Sequence, residues 1–240
     1  MNNNLQVLTK KTDFSIDREN GGFVLIDKYA DWTSFDVVNK LRRLLKIKKI
    51  GHSGTLDPFA TGLLIIAYGK MTKRLSEFQN GDKEYTGTIY LGKSTLSFDG
   101  ETEVVSERSP ENIDEEKIFA VRDKLLASEE QIPPMYSAKK YKGKALYKYA
   151  RKGKEVEREP VKIKIYEFEI TRIELPEVDF RIRVSKGTYI RVIANDFGKM
   201  LGCGGYLKTL RRTAIDKYKV EDAFTIDEFT EKLKENESLL

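Results

Sequence analysis

The stretch from Ile50 to Leu64 reads Ile-Gly-His-Ser-Gly-Thr-Leu-Asp-Pro-Phe-Ala-Thr-Gly-Leu-Leu, and it admits few backbone paths. Pro58 biases the residue before it, Asp57, towards extended geometry, so a helix does not run through this carboxylate. Gly51, Gly54 and Gly62 suit tight turns or close approach by a neighbouring chain. The segment is therefore a stiff loop, and the regular elements must be arranged on either side of it. It also holds the only histidine of the chain, His52. Taken as composition, an Asp among Gly and Pro is a turn residue, favoured for local backbone reasons. The alternative is an acid presented to a substrate from a fixed loop.

The flanks divide into short elements. Gly22 to Lys28 is an apolar run with the pattern of a buried strand. Thr33 or Ser34 caps a helix whose inner face is Val37, Val38, Leu41, Leu44 and Leu45. Lys40, Arg42, Arg43, Lys46, Lys48 and Lys49 crowd its end, either as cations suited to a helix C-terminus or as phosphate contacts. Strands are expected at Leu63–Ala67 and Tyr85–Leu91, and a helix from about Asp114 to Ser128. Val161 to Ile173 reads as one strand, and Val178 to Val184 as another with apolar residues at 178, 180, 182 and 184. Thr188 is the expected cap of a helix with Ile190, Ala194, Phe197 and Leu201 on its apolar face; Arg191 lies off that face. Thr225 with Glu228 forms a capping box for a last helix. Residues 1–21 read as a loose lead-in, and 22–240 as one domain with an insert at about 135–160.

That insert has the most biased composition in the chain. Between Tyr136 and Lys154 there are eight Lys or Arg, four Tyr and no acid. A solvated basic face is one explanation. Cations interleaved with aromatics also suit RNA, where phosphates take the charge and unpaired bases stack on rings. The net charge of +5 permits such a partner without requiring it. One cysteine, Cys203, excludes an intramolecular disulfide, and with one His there is no cluster of those ligands for zinc. Met1 to Leu5 lacks the apolar run of a signal peptide, and no stretch approaches the roughly 20 apolar residues of a membrane span. A cytoplasmic protein is expected.

Several of these strings resemble one family. Gly51-His-Ser-Gly-Thr-Leu-Asp-Pro-Phe-Ala-Thr-Gly-Leu-Leu64 is similar to the long signature of the TruB-type tRNA pseudouridine synthases. Asp82-Lys-Glu-Tyr85, Pro133-Pro-Met-Tyr-Ser-Ala-Lys139, Gly143-Lys-Ala-Leu-Tyr-Lys-Tyr-Ala-Arg151, Gly187-Thr-Tyr-Ile-Arg191 and Gly202-Cys-Gly-Gly-Tyr-Leu-Lys-Thr-Leu210 extend it. The resemblance runs from about Gly22 to Phe229 and is to a form lacking the additional C-terminal RNA-binding domain of many relatives. One departure is clear: where many relatives carry Thr-Asp-Thr, this chain has Thr95-Leu96-Ser97, and Asp99 matches the next acid of the pattern.

The resemblance implies an α+β fold, the pseudouridine synthase catalytic fold, with a large, mainly antiparallel mixed sheet and a mobile basic thumb. It implies Asp57 as the catalytic residue, Tyr85 stacked on the target base, and Arg191 paired with Asp57. It places His52 in the gap left by a flipped base, Leu210 against that base, and Lys83 and Tyr189 on the substrate side. Lys139, Lys140, Lys142, Lys144, Lys148, Arg151 and Arg211 become candidates for the RNA backbone, while Arg212 beside it reads as a phosphate contact or a surface residue. The implied substrate is uridine 55 in the T stem-loop of tRNA, acted on by a monomer without cofactor, metal or membrane. Isomerising uridine breaks the C1′–N1 bond and joins C1′ to C5, with no oxidation or hydrolysis, and one carboxylate is suited to it. A glycoside hydrolase also works at an anomeric carbon but normally needs paired carboxylates, and only one acid is well placed here. The remaining rival is a non-catalytic RNA-binding or tRNA-folding protein with an idle Asp57.

Overall fold

The computed structural model describes residues 7–237. The chain runs first through β1 (Val7–Leu8), β2 (Gly21–Lys28), α1 (Ser34–Leu45), β3 (Ile50–His52), β4 (Thr61–Gly69), α2 (Ser76–Gln79) and β5 (Lys83–Leu91). Next come β6 (Lys93–Thr95), β7 (Val104–Glu107), α3 (Glu115–Leu126), β8 (Glu130–Gln131), β9 (Lys140–Tyr141), β10 (Lys144–Ala145) and α4 (Tyr147–Ala150). The last are β11 (Val161–Lys162), β12 (Ile165–Glu174), β13 (Glu177–Val184), α5 (Ile190–Met200), β14 (Gly205–Ile215), β15 (Tyr218–Lys219) and α6 (Ile226–Glu237). They group into two compact units. One runs to Tyr85 and resumes at Arg211; the other spans Thr86 to Leu210.

In the first unit, β2 is buried on both faces, which is why it reads as a continuous apolar run rather than an alternating one. It pairs antiparallel with β4 from Gly21↔Gly69 to Lys28↔Gly62. Val24, Ile26, Leu64 and Ile66 pack under α1 and α6, against Val37, Val38, Leu41, Phe229 and Leu233. Phe23, Leu25, Leu63 and Ile65 face the other way, towards Phe78, Ile215 and Val220. Each buried aliphatic or aromatic side chain contributes roughly 1.5–3 kcal/mol relative to exposure. Thr33 caps α1 and exchanges bonds with Asp36 in a capping box, and Lys46 ends it in the left-handed region. Thr225 and Glu228 make the same reciprocal pair before α6.

Part of the expected lead-in is structured, while residues 1–6 lie outside the described residues. Val7 and Leu8 pair in parallel with Phe23 and Val24. Leu8 joins the core under α1 and Val7 the opposite one, so even this two-residue strand serves both faces. At the other side of β4, the segment of β14 from Arg211 pairs in parallel, with Arg212 opposite Gly62. Gly62 has φ +105°, and a Cβ there would lie 2.3 Å from the Arg212 carbonyl oxygen. Of the three glycines in the Ile50–Leu64 stretch, it is the one that the backbone conformation demands.

In the second unit, the strand order runs β14, β5, β13, β12. Val178, Phe180, Ile182 and Val184 of β13 are buried, as the alternation required. Phe168 of β12 sits with its ring centroid 5.9 Å from Phe180 and 6.1 Å from Phe197 of α5. The opposite side of the hairpin carries ion pairs, Arg172 with Asp179 and Arg181 with Glu167 and Glu169. The single strand expected over Val161 to Ile173 is two strands. β11 pairs with β8, and β12 pairs with β13. Between them the Ile163 amide still bonds Glu129 while that of Lys164 bonds Ser185, so the chain changes partner there. Thr188 does not cap α5. Its hydroxyl closes a turn onto the Ser185 carbonyl at 2.9 Å, and Tyr189 takes the cap position. The first unit mixes parallel with antiparallel pairs, the β12–β13, β8–β11 and β6–β7 ladders of the second are antiparallel, and helices pack alongside, which is the α+β class.

The strain argument at Gly62 sets an expected outcome. Gly62→Ala should lower the unfolding free energy by more than about 2 kcal/mol, because the added carbon meets backbone at a φ that side chains rarely adopt. Gly143→Ala, where φ is +79° but nothing lies within 4 Å, should cost about 1 kcal/mol. Urea unfolding of the two variants checks the ranking.

Candidate active site

The loop bearing Asp57 is braced by buried polar groups on both sides. Lys28, at the end of β2, is wholly buried, and its ammonium donates to the carbonyls of Tyr29 (2.9 Å), Trp32 (2.6 Å) and Pro58 (3.0 Å). Three donors meet three acceptors, one of which belongs to the residue after Asp57. Burial pushes this ammonium down to about 8, opposed by the negative charges of Asp57 and Asp31. On the other flank, the Leu56 amide donates to the Ser34 hydroxyl at 2.9 Å. Arg212, also buried, donates to the carbonyls of Leu63 (2.7 Å) and Gly54 (3.3 Å). The Ala60 amide closes onto the carbonyl of Asp57 itself at 3.1 Å. Leu56 and Ala60 are buried and Asp57 between them is half-buried.

Lys28 and Ser34 were not among the site candidates from sequence, and Arg212 entered only as a phosphate contact or a surface residue. A lysine that ends an apolar strand is the only signal for the first. Arg211 and Arg212 looked interchangeable as phosphate contacts, and the structure separates them. Arg212 turns inward onto backbone carbonyls, while Arg211 makes a two-pronged pair with Asp27 at 3.0 and 2.6 Å. His52 ends β3 and is half-buried. Burial lowers its pKa first of all, the nearby Arg212 charge adds to the lowering, and a hydrogen bond to the Gly54 backbone opposes both. Tyr85 is buried in β5. Lys83, also buried, bonds the carbonyls of Gln79 (2.7 Å) and Gly81 (2.5 Å).

The second unit holds Arg191 in a different setting from the solvated helix arginine that its position off the apolar face suggests. It is 5% exposed, because the first turns of α5 are buried nearly all round. Its guanidinium donates to the carbonyls of Ser97 (2.9 Å) and Tyr136 (2.8 Å) and lies 3.3 Å from an Asp99 carboxylate oxygen. Asp99 has no exposed surface; its other oxygen accepts from the Ser97 hydroxyl (2.5 Å) and the Glu101 amide (2.9 Å). Removing either partner of such a buried pair costs roughly 3–5 kcal/mol. The loop from Thr95 to Glu101 is therefore a cradle for Arg191. Leu96, in place of the usual acid, is 58% exposed and takes no part. Leu210 is buried, and Tyr189 is half-buried at the start of α5.

The basic insert folds as a small hairpin and a helical turn. β9 and β10 pair across Lys142 and Gly143, both at positive φ, as a tight two-residue turn needs. All eight Lys and Arg from Lys139 to Lys154 are exposed. Lys142 and Arg151 each lie 5.4 Å from a tyrosine ring centroid, of Tyr141 and Tyr147. Among the described residues no three His, Cys, Asp or Glu side chains group as a metal site would, and no helix is long and apolar enough to cross a membrane.

Residues 42–190 match the model of the TruB family pseudouridylate synthase N-terminal domain, and residues 191–240 that of the tRNA pseudouridylate synthase B C-terminal domain. The chain is 52% identical over 210 residues to a protein of Opitutus terrae named tRNA pseudouridine synthase B, covering 88% of this chain and 87% of that one. A protein of the same name from Chlorobaculum tepidum is 48% identical over 231 residues, covering 94% and 96%. Among solved structures, the chain is similar to the archaeal box H/ACA sRNP Nop10–Cbf5 complex, with TM-score 0.67 at 26% identity. That match covers 92% of this chain, which spans only 57% of the other. A Cbf5–Nop10–Gar1 complex matches with TM-score 0.68, over 93% of this chain and 62% of that one.

The lowered His52 pKa gives a testable sign. Above the ordinary value of 6.5 the imidazole is neutral in both folded and unfolded chains. As pH falls through 6.5 the unfolded chain gains a proton that the folded one resists, so stability is lost. The melting temperature should therefore drop between about pH 7.5 and about pH 5.5, and His52→Gln should drop less. Equal drops in the two proteins would remove His52 as the cause.

Proposed function

The chain belongs to the TruB family of pseudouridylate synthases, and from that membership we propose that it isomerises uridine 55 in the T loop of tRNA, with Asp57 as the reacting carboxylate. The observation that carries the assignment is the bracing of the Asp57 loop by Lys28, Ser34 and Arg212. Such bracing holds the residues beside a carboxylate in one place, which is what a reaction at a single sugar carbon needs. The Opitutus and Chlorobaculum relatives are named as synthases, which favours catalysis over the non-catalytic reading of the same basic insert.

The reaction breaks C1′–N1, turns the uracil and joins C1′ to C5; the proton leaves C5 and N1 ends protonated. Asp57 acts ionised. Arg191 is assigned its countercharge, which favours the carboxylate form, and Asp99 holds that arginine. Tyr85 is assigned to the uracil ring and to relay of the C5 proton, with Leu210 as an apolar contact to the base. A uridine in a folded loop must be flipped out at a cost of a few kcal/mol. His52, whose charged form burial disfavours, is assigned to the space that the base leaves. Lys83 and Tyr189 complete the substrate side. Lys139, Lys140, Lys142, Lys144, Lys148 and Arg151 are assigned to the RNA backbone, with Arg211 sharing its charge between phosphate and Asp27. The protein is assigned to the cytoplasm as a monomer, without cofactor.

Incubating the protein with unmodified tRNA, an isolated T stem-loop and an unrelated hairpin, followed by chemical mapping of pseudouridine, tests this reading. Modification is expected at one uridine of the first two and not of the third. Asp57→Asn should abolish it while leaving tRNA binding intact; isomerisation above a few per cent of the wild-type rate would refute the role of Asp57. The insert has its own readout. Replacing Lys139, Lys140, Lys142 and Lys144 by alanine should weaken binding and lower the log–log salt slope by about 0.7–0.9 per lost phosphate contact. An unchanged slope would take the insert off the RNA.

A further inference from the structure

Gln131 stands at the root of the basic insert. It ends β8, whose partner β11 closes the far side, so the β8–β11 pair is the neck from which residues 132–160 project. Its side chain is buried, but it does not serve the neck. It reaches across 58 positions of sequence to the backbone of Tyr189: the Tyr189 amide donates to Oε1 at 2.8 Å, and Nε2 donates to the Tyr189 carbonyl at 3.1 Å. A carboxamide bonded at both ends to one residue mimics a neighbouring strand, and it fixes that residue in position and orientation.

Tyr189 is the cap residue of α5, and no side chain of its own caps the helix. Arg191 comes two residues later. A second link runs the same way, since the Arg191 guanidinium donates to the Tyr136 carbonyl inside the insert at 2.8 Å. The next carbonyl, of Ser137, accepts from the Tyr147 amide at the start of α4. The arginine is thus tied to the insert through its helix cap and through its own side chain.

We propose that Gln131 is a positioning residue that registers the neck of the RNA-binding insert against the start of α5, so that RNA held by the insert and the Arg191 guanidinium share one frame. This rests on the roles proposed for Arg191 and the insert. Gln131 touches no reacting atom. It acts through Tyr189, and its loss should misplace Arg191 while the exposed cations still hold RNA. A displacement of about 1 Å in such a group costs up to about 100-fold in rate.

The test uses the full chain with tRNA. Gln131→Met fills the same volume without either hydrogen bond, and Gln131→Glu keeps the acceptor for the Tyr189 amide but sets an oxygen against its carbonyl. Single-turnover isomerisation should fall by about 10- to 100-fold in Gln131→Met, with the Kd for tRNA within about threefold of wild type, and Gln131→Glu should also be slower at unchanged Kd. A wild-type rate in a folded Gln131→Met overturns the inference, as does a fall in rate matched by an equal loss of tRNA affinity. If Gln131→Met fails to fold, a wild-type rate in Gln131→Glu overturns it equally. An inactive wild type would instead refute the functional reading on which it rests, so the two failures are distinguishable.

Discussion

A fully buried ammonium group sets the terms for the first unit. Taking a lysine out of water costs several kcal/mol after relaxation, and Lys28 is tolerated because three carbonyls surround its head and carboxylate charge lies near. Two of those carbonyls come from the turn after β2 and the third from Pro58. The demand of one cation for acceptors therefore ties the end of a core strand to the Asp57 loop. Arg212 does the same from the opposite side, bonding Leu63 and Gly54. The loop is short of strand pairing around Asp57, and buried cations take over the task that a ladder of amides performs elsewhere.

Elements with a local period were legible in the chain. The alternation of β13, the cap of α1, the capping box of α6 and the apolar run of β2 each depend on neighbours within a few residues, and each stands where expected. What was not legible depends on distant partners. β1 has two residues and no pattern of its own; it exists because β2 offers an edge and two cores offer room. Thr188 has the chemistry of a cap, but a carbonyl three residues back takes its hydroxyl. Burial of Arg191 and Arg212 is set by carbonyls and a carboxylate well separated in sequence, and that of Lys28 by the distant Pro58 carbonyl together with two nearby ones, so no reading of charge along the chain reveals it. Arg211 and Arg212 are separated by strand parity alone. Even parity fails one step earlier, where Lys208 and Thr209 are exposed in succession before Leu210 turns inward.

The departure at Leu96 shows how a resemblance and a structure divide the work. Motif comparison finds an acid missing from the Thr95–Ser97 triplet but gives no consequence for the fold. The structure places Leu96 in solvent and puts the next acid, Asp99, wholly inside against Arg191. The buried carboxylate that an interior guanidinium requires is thus supplied from a position that this chain retains. Exposure of Leu96 and burial of Asp99 account for why this departure leaves the arginine partnered.

The first unit is made from two pieces of chain, one reaching Tyr85 and one beginning at Arg211, whereas the second is a single continuous segment. A ribosome releases a chain from its N-terminus, and units fold as their residues become available. The second unit can therefore close before the first, although it comes later in the message. Arg212 and α6 are among the last parts to emerge, and until they do the Asp57 loop lacks one brace and the helix-covered core lacks Phe229 and Leu233. A nascent chain would thus display its basic hairpin while the Asp57 loop still lacks the Arg212 brace. The order of synthesis thereby sets an interval in which the second unit is closed and the first is not.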